Sequence, residues 1–207
     1  MNCDPIARWY RWLEYIGFGG ELERRRLALL PEVRTARRVL VLGEGDGRFL
    51  VHLVEQNPAA SIDYVDLSAR MLDLARKRAG TAQITYHLGD ALTFPLPANE
   101  YDLVVTNFFL DCFEEGDANR VVERISTTAR SRARWLIAEF RQPDRGWQAV
   151  WARTWLWALY LFFRLTTGLK TRQLADHHPL LKKQRFRIER AEPSLFGLLA
   201  SELWTRP

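Results

Sequence analysis

Five short apolar runs recur along residues 38–140, and amphipathic stretches of helical length separate most of them. The first, "RRVLVLG", is continuously apolar and closed by glycine, as a strand buried on both faces would be. "GRFLVHLVEQN" places Phe49, Leu50, Leu53 and Val54 on one side of a helix. "SIDYVDL" reads as a strand, "ARMLDLARKRAG" as a helix stopped by Gly80, and "QITYHLGD" and "YDLVVTNFF" as two further strands. "GDANRVVERISTTAR" is a helix and "ARWLIAEF" a fifth strand. Strands alternating with helices of this size predict a mostly parallel sheet with helices on both faces, a doubly wound α/β, Rossmann-like fold.

Around this core the pattern changes. Ile6, Trp9, Leu13 and Ile16 stand at helical spacing, "GFGG" interrupts them, and "ELERRRLALL" resumes as a second helix ending near Pro31. "GWQAVWARTWLWALYLFFRLTTG" reads as a long aromatic helix inserted after the fifth strand, and "LADHHPLLKKQ" as a short helix. "RFRIERAEP" and "LFGLLASELWTR" read as a closing strand pair, which brings the expected sheet to seven strands. With 207 residues and no repeat or linker, the chain reads as one domain. Its parts are a helical cap over 1–31, a core over 38–140, an inserted helix over 146–169 and a C-terminal helix and strand pair over 170–207.

The glycine loop is the first functional signal. In "GEGDG", Gly43, Gly45 and Gly47 follow the first strand, where an open α/β sheet binds its ligands. The third glycine of a dinucleotide fingerprint would stand at 48, which is Arg48, and no phosphate-loop pattern is present. Glu44 and Asp46 between the glycines would repel a pyrophosphate, so the expected ligand is neutral or cationic beside this loop. Asp66 closes the second strand, 19 residues beyond Gly47, placed to accept ribose hydroxyls, although it or Ser68 could equally cap the next helix. Asp90 ends the third strand beside Ala91 and suits an exocyclic amino group, or a turn. Glycines beside an amino-acid-like arm, an acid on a ribose and an acid on an amino base together fit S-adenosylmethionine.

These motifs, "VLVLGEGDG", "VDLSARML", "GDALTF" and "YDLVVTNFFLD", resemble the class I S-adenosylmethionine-dependent methyltransferases from about Arg38 to Phe140. The resemblance implies that Gly43, Gly45 and Gly47 line the methionine portion and that Asp66 holds the ribose, with Glu44 and Leu67 also among the cofactor-binding residues. It places Asp90 and Ala91 at the adenine and Asn107 beside the reactive methyl. "IARWYRWLEYIGFG" is similar to the N-terminal cap of the quinone and small-molecule branch. The family's usual acid two residues before the first glycine is Val41 here, and Glu44 is the candidate substitute for its charge. A "GDG" loop without that acid also resembles the aminopropyltransferases, but "TNFFLD" carries one acid where those carry a pair.

Methyl transfer from a sulfonium demands alignment, and a base only where the acceptor must lose a proton. Asp111 and Tyr10 are the candidate catalytic residues, with His177 and His178 assigned to surface or capping roles. "NFFL" lacks the prolines common where planar nitrogen is methylated, which favours oxygen or carbon. Trp147, Trp151 and Trp155 form a row suited to core packing, to covering an apolar acceptor or to resting at a membrane surface. Thr154–Phe163, the uncharged stretch of that region, is too short to span a bilayer, which takes roughly 20 residues.

The expected partner is therefore a small, lipophilic acceptor. Thirty basic against 25 acidic residues, with Lys182, Lys183, Arg185, Arg187 and Arg190 in the tail, leave an RNA methyltransferase as the alternative, without a visible RNA-binding module. A protein that holds the cofactor without transferring the methyl is a third reading. Cys3 and Cys112 match no metal spacing, and no metal is expected; these cysteines and the absence of an export signal predict a cytoplasmic setting.

Overall fold

The structure, a computed structural model, describes residues 18–80, 83–141 and 176–207. Seven strands form one sheet: β1 (Arg38–Leu42), β2 (Ser61–Asp66), β3 (Ile84–Leu88), β4 (Tyr101–Asn107), β5 (Ala129–Phe140), β6 (Arg187–Ser194) and β7 (Leu199–Thr205). Their order across the sheet is β3-β2-β1-β4-β5-β7-β6. β1 to β5 run parallel, while β7 is antiparallel to both β5 and β6. The order reverses at β1, which lies between β2 and β4. The doubly wound, mostly parallel sheet read from the sequence is the one observed.

The period of two along β1 accounts for its central place. Val39 and Val41 enter one core with Ile62, Tyr64, Leu103 and Val105. Leu40 and Leu42 enter the other with Val65, Val104, Trp135 and Trp204. The first core is covered by α2 (Arg48–Gln56), through Phe49, Leu50 and Leu53, and by α3 (Ala69–Ala79), through Leu72, Ala75 and Ala79. The second is covered by α4 (Glu115–Thr128), through Val121, Val122 and Ile125, and by Leu181 of α5 (His177–Lys183). Each run of four or five apolar residues thus divides between two helical layers, as parallel strands require.

A smaller cluster sits at the rim. α1 (Glu21–Leu27) contributes Leu22, which packs with Phe108, Phe140, Leu198 and Leu199, with Phe18 against them. The described part of the cap therefore lies over the carboxyl ends of β4 and β5. Its helix is shorter than the sequence indicated, because a 3-10 turn at Leu30–Val33 takes over where Pro31 removes a donor. β5 begins at Ala129, directly after α4, four residues before the expected start. The aromatic segment over 146–169 and Tyr10 lie outside the described residues. Among the described residues no helix is long and apolar enough to cross a membrane.

Helix α2 begins from a left-handed Gly47 (φ +84°), and a Cβ there would stand 2.6 Å from Ala75 Cα in α3. Gly45 has the same φ but open space around it. Gly47→Ala should therefore lower the free energy of unfolding by about 2 kcal/mol or more. Gly45→Ala, which meets no neighbour, should lower it by only about 1–2 kcal/mol; urea unfolding of the two variants compares them directly.

Candidate active site

The rim where the strand order reverses is assembled from the ends of β1, β2, β3 and β4, the crevice that open α/β sheets use for ligands. Gly43, Gly45 and Gly47 all take positive φ, at +58°, +84° and +84°. Gly43 donates its N–H to Val65 O (3.0 Å), and the ring of Phe109 lies where a Cβ on Gly43 would be, so no side chain fits there. The loop presents backbone rather than side chain at Gly45.

Its two acids are accounted for inside the protein. Asp46 is paired with Arg48 (3.0 Å) and Arg78 (2.6 Å). Its burial alone would raise the carboxyl, but these guanidinium groups outweigh that and hold it below the usual range. Glu44 is 6% exposed. One oxygen accepts from Phe49 N in the first turn of α2 (3.2 Å), while Oε2 is buried without a partner. Burial pushes its carboxyl up to about 8, against the pull of Arg26. The loop therefore does not repel anions as its sequence implied, because Asp46 is neutralised by arginines and Glu44 holds its proton near neutral pH.

Val41, where the usual acid is missing, is fully buried beside Tyr64 and Val105. Tyr64 is the residue the sequence reading overlooked. Its hydroxyl lies 2.7 Å from both the Gly45 carbonyl and Asp66 Oδ2, joining the loop to the acid of the second strand. Burial, with Asp66 and Glu44 nearby, pushes the phenol well above its ordinary range, so it stays a donor. In sequence Tyr64 was one aromatic among core residues, and nothing marked it as polar.

Asp66 Oδ1 accepts from Ser68 N (2.8 Å), while Ser68 itself caps α3 through Met71 N (3.1 Å). Asp66 is therefore not the helix cap. Leu67 beside it is 46% exposed, an apolar side chain left at the rim. Asp90 Oδ1 accepts from Leu92 N (2.9 Å), a turn-forming bond, and Ala91 is buried. Gly89 N bonds to Asp66 O (3.0 Å), so the ends of β2 and β3 stay together.

Asn107 ends β4, 2% exposed, with neither its Oδ1 nor its Nδ2 hydrogen-bonded. Two unmet buried polar atoms on one amide cost about 1–3 kcal/mol each unless something pairs with them. The next residue, Phe108, has φ +50°, a left-handed backbone that costs a bulky residue about 1–3 kcal/mol. Its surroundings enforce it. The ring lies between the Arg26 guanidinium (5.1 Å) and Phe140 (5.3 Å), and Glu139 Oε1 accepts from Phe109 N (2.9 Å) and Leu110 N (2.7 Å).

That turn brings Asp111 beside Glu139, and both are buried. Burial pushes Asp111 up to about 6. Burial and the Asp111 charge push Glu139 well above the carboxylate range, against three backbone donors. Two carboxyls in these conditions retain a proton between them at neutral pH. Glu139 was read as an ordinary strand residue, since its partners lie about thirty positions away in sequence.

Residues 39–132 match the family described as "Methyltransferase domain". Over these residues the chain is similar to methyltransferase domains. The chain is 32% identical over 125 residues to a demethylmenaquinone methyltransferase of Deinococcus radiodurans, covering 59% of this chain and 51% of that protein. It is 28% identical over 149 residues to the Thermus thermophilus protein of the same name, covering 70% and 67%. The chain thus spans about half the length of the first of these relatives. The mitomycin 7-O-methyltransferase MmcR superposes with TM-score 0.70 at 18% identity, covering 99% of this chain and 58% of that one. The methyltransferase SibL superposes with TM-score 0.72 at 21% identity, covering 96% and 58%.

The domain's rim also gives a pH signature. Glu44 keeps a proton in the native state up to about 8, whereas the unfolded chain loses it near 4.5. The native state then binds the extra proton between these values, so ligand-free stability should fall as pH rises through that window, by at most about 1.4 kcal/mol per pH unit for this group. Glu44→Gln, which has no proton to lose, should flatten the slope; chemical unfolding of both proteins from pH 5 to 8 measures it.

Proposed function

We propose that this chain transfers the methyl group of S-adenosylmethionine to a small, lipophilic acceptor, on oxygen or carbon. The observation that carries the reading is Asn107. Its two unpaired, buried polar atoms stand at the end of β4, next to the glycine loop in sheet order and just before the carboxyl pair. A binding rim with an unsatisfied amide at its centre is built for a polar ligand.

The residues present fit the cofactor. Gly43 to Gly47 would lie along the amino-acid arm, Asp66 would accept the ribose hydroxyls, and Leu67, Asp90 and Ala91 would face the base. Asn107 would meet the arm's polar groups. Glu44, buried with one oxygen unpartnered, would give up its proton when an ammonium group sits beside it. Bound there, the cofactor supplies an electrophilic methyl. The chain's own residues hold an acceptor in line, exclude water and take a proton where the acceptor carries one.

Asp111 is the proton acceptor in this reading. Glu139 holds the turn that carries it, through Phe109 N and Leu110 N, and burial keeps Asp111's affinity for protons high. A carboxylate that titrates near 6 is a serviceable base at neutral pH. Quinone methylation is what the curated relatives are named for, and O-methylation is what MmcR is named for. Those names, with the tryptophan-rich segment of the sequence, support an aromatic or quinone-like acceptor. Contact with a membrane surface, where such acceptors collect, belongs to the same reading.

Calorimetry with S-adenosylmethionine should show one site per chain, weakened at least about tenfold by Asp66→Ala, whose loss removes a charged hydrogen-bond partner. Absence of heat would overturn the reading. Repeating the titration in buffers of different ionisation enthalpy should reveal a proton released on binding, abolished in Glu44→Gln. With a phenolic or quinol acceptor, Asp111→Asn should lower kcat by about 10²–10⁴ while leaving the cofactor Kd nearly unchanged. Binding without formation of S-adenosylhomocysteine across an acceptor panel would identify a cofactor-holding protein instead of an enzyme.

A further inference from the structure

Glu202 lies in the middle of β7, opposite Ile137 of β5 and Ala191 of β6, and is 1% exposed. An ionised carboxylate so deep in a sheet costs several kcal/mol unless it is compensated. The compensation comes from α5. His177 Nε2 lies 2.9 Å from Oε2, and His178 Nε2 lies 2.8 Å from Oε1. Trp204 Nε1 donates to Oε2 (2.9 Å), and Arg141 Nη1 is 3.5 Å from Oε1. Burial opposes the charged form, but the two imidazoles outweigh it, and the carboxyl is held well below the usual range.

The convergence of the imidazoles is unusual. Consecutive helical residues project about 100° apart and do not face one another. Here His177 and His178, the first two residues of α5, both turn Nε2 onto one carboxylate, with ring centroids 4.9 Å apart at 69°. One ligand atom from each of the three residues lies within 4.8 Å of the others. The histidines are therefore neither surface nor simple capping residues; Asp176 caps α5, accepting from His178 N (3.0 Å).

We propose that His177, His178 and Glu202 form a binding site for a divalent transition metal of the zinc class, separate from the methyl-transfer rim. Two imidazole nitrogens and one carboxylate oxygen are a borderline donor set suited to Zn²⁺ or Co²⁺, with a remaining position for water. Trp204 supplies the outer hydrogen bond that orients the carboxylate, as such sites require. Access is from the His178 side, since that side chain is 20% exposed and His177 only 4%. Arg141 makes the longest contact from a half-exposed arm and can turn to solvent when a cation enters.

The site would act as a clamp. It ties the first turn of α5 to the middle of β7. No residue of the glycine loop or the Asp111–Glu139 pair takes part, so the proposal stands apart from the assigned reaction.

The test uses the full chain, purified without a polyhistidine tag and stripped with a chelator. Titration with Co²⁺ should develop visible d–d absorption that saturates at one equivalent, without a thiolate charge-transfer band from cysteine. Zn²⁺ should displace it and raise Tm. Glu202→Gln and His178→Gln should each weaken Co²⁺ at least about tenfold. Saturation absent in the native chain, or unchanged in a folded variant, overturns the proposal, since binding would then rest on His52, His87 or nothing specific. Should both variants unfold, X-ray absorption of the Co²⁺-loaded native chain decides. Two imidazoles in the coordination shell support the site, and fewer than two refute it.

Discussion

β1 has no solvent on either face, and that constraint organises the rest of the molecule. Its four apolar residues alternate between two helical layers, so a ligand can approach this strand only at its end. Strand order reverses there, which separates the helices that follow β1 and β4 and leaves a crevice between them. The glycine loop is the chain's exit from that sealed strand. Its backbone must turn sharply under Phe109 and against Ala75, and side chains are excluded at two of its three glycines.

Around the crevice, acids are managed in three different ways. Asp46 is matched by two arginines, so its charge is fixed and internal. Glu44 and the Asp111–Glu139 pair have too few charged partners and keep protons instead. Asp66 is shared between a phenol and a backbone N–H, which together orient it. Several of the acids that the sequence places at the rim are thereby buried carboxyls with raised proton affinity rather than free charges. The strained Phe108 belongs to the same arrangement, since it turns the chain so that Glu139 can receive two N–H groups.

Much of this was legible from residue order. The apolar runs located the five parallel strands, the tail pattern the closing pair, and the endings at Gly43, Asp66, Asp90 and Asn107 located the rim, because strand ends are local features with local composition. Boundaries moved by a few residues where neighbours intervened, as at Pro31 and at Ala129. What composition misjudged were polar residues whose partners are remote. Tyr64 and Glu139 read as sheet residues, Asp46 as a free charge, and His177 and His178 as surface groups, although the last two lie against Glu202 some 25 positions away.

The amino-acid sequence by itself determined the layered α/β architecture and the place of the crevice, since periodicity and glycine placement act over a few residues. Only the tertiary structure decided which acids are charged, which keep protons, and which imidazoles meet a carboxylate. The physical reason is that ionisation depends on desolvation and on partners within a few ångströms, and folding brings those partners from distant parts of the chain.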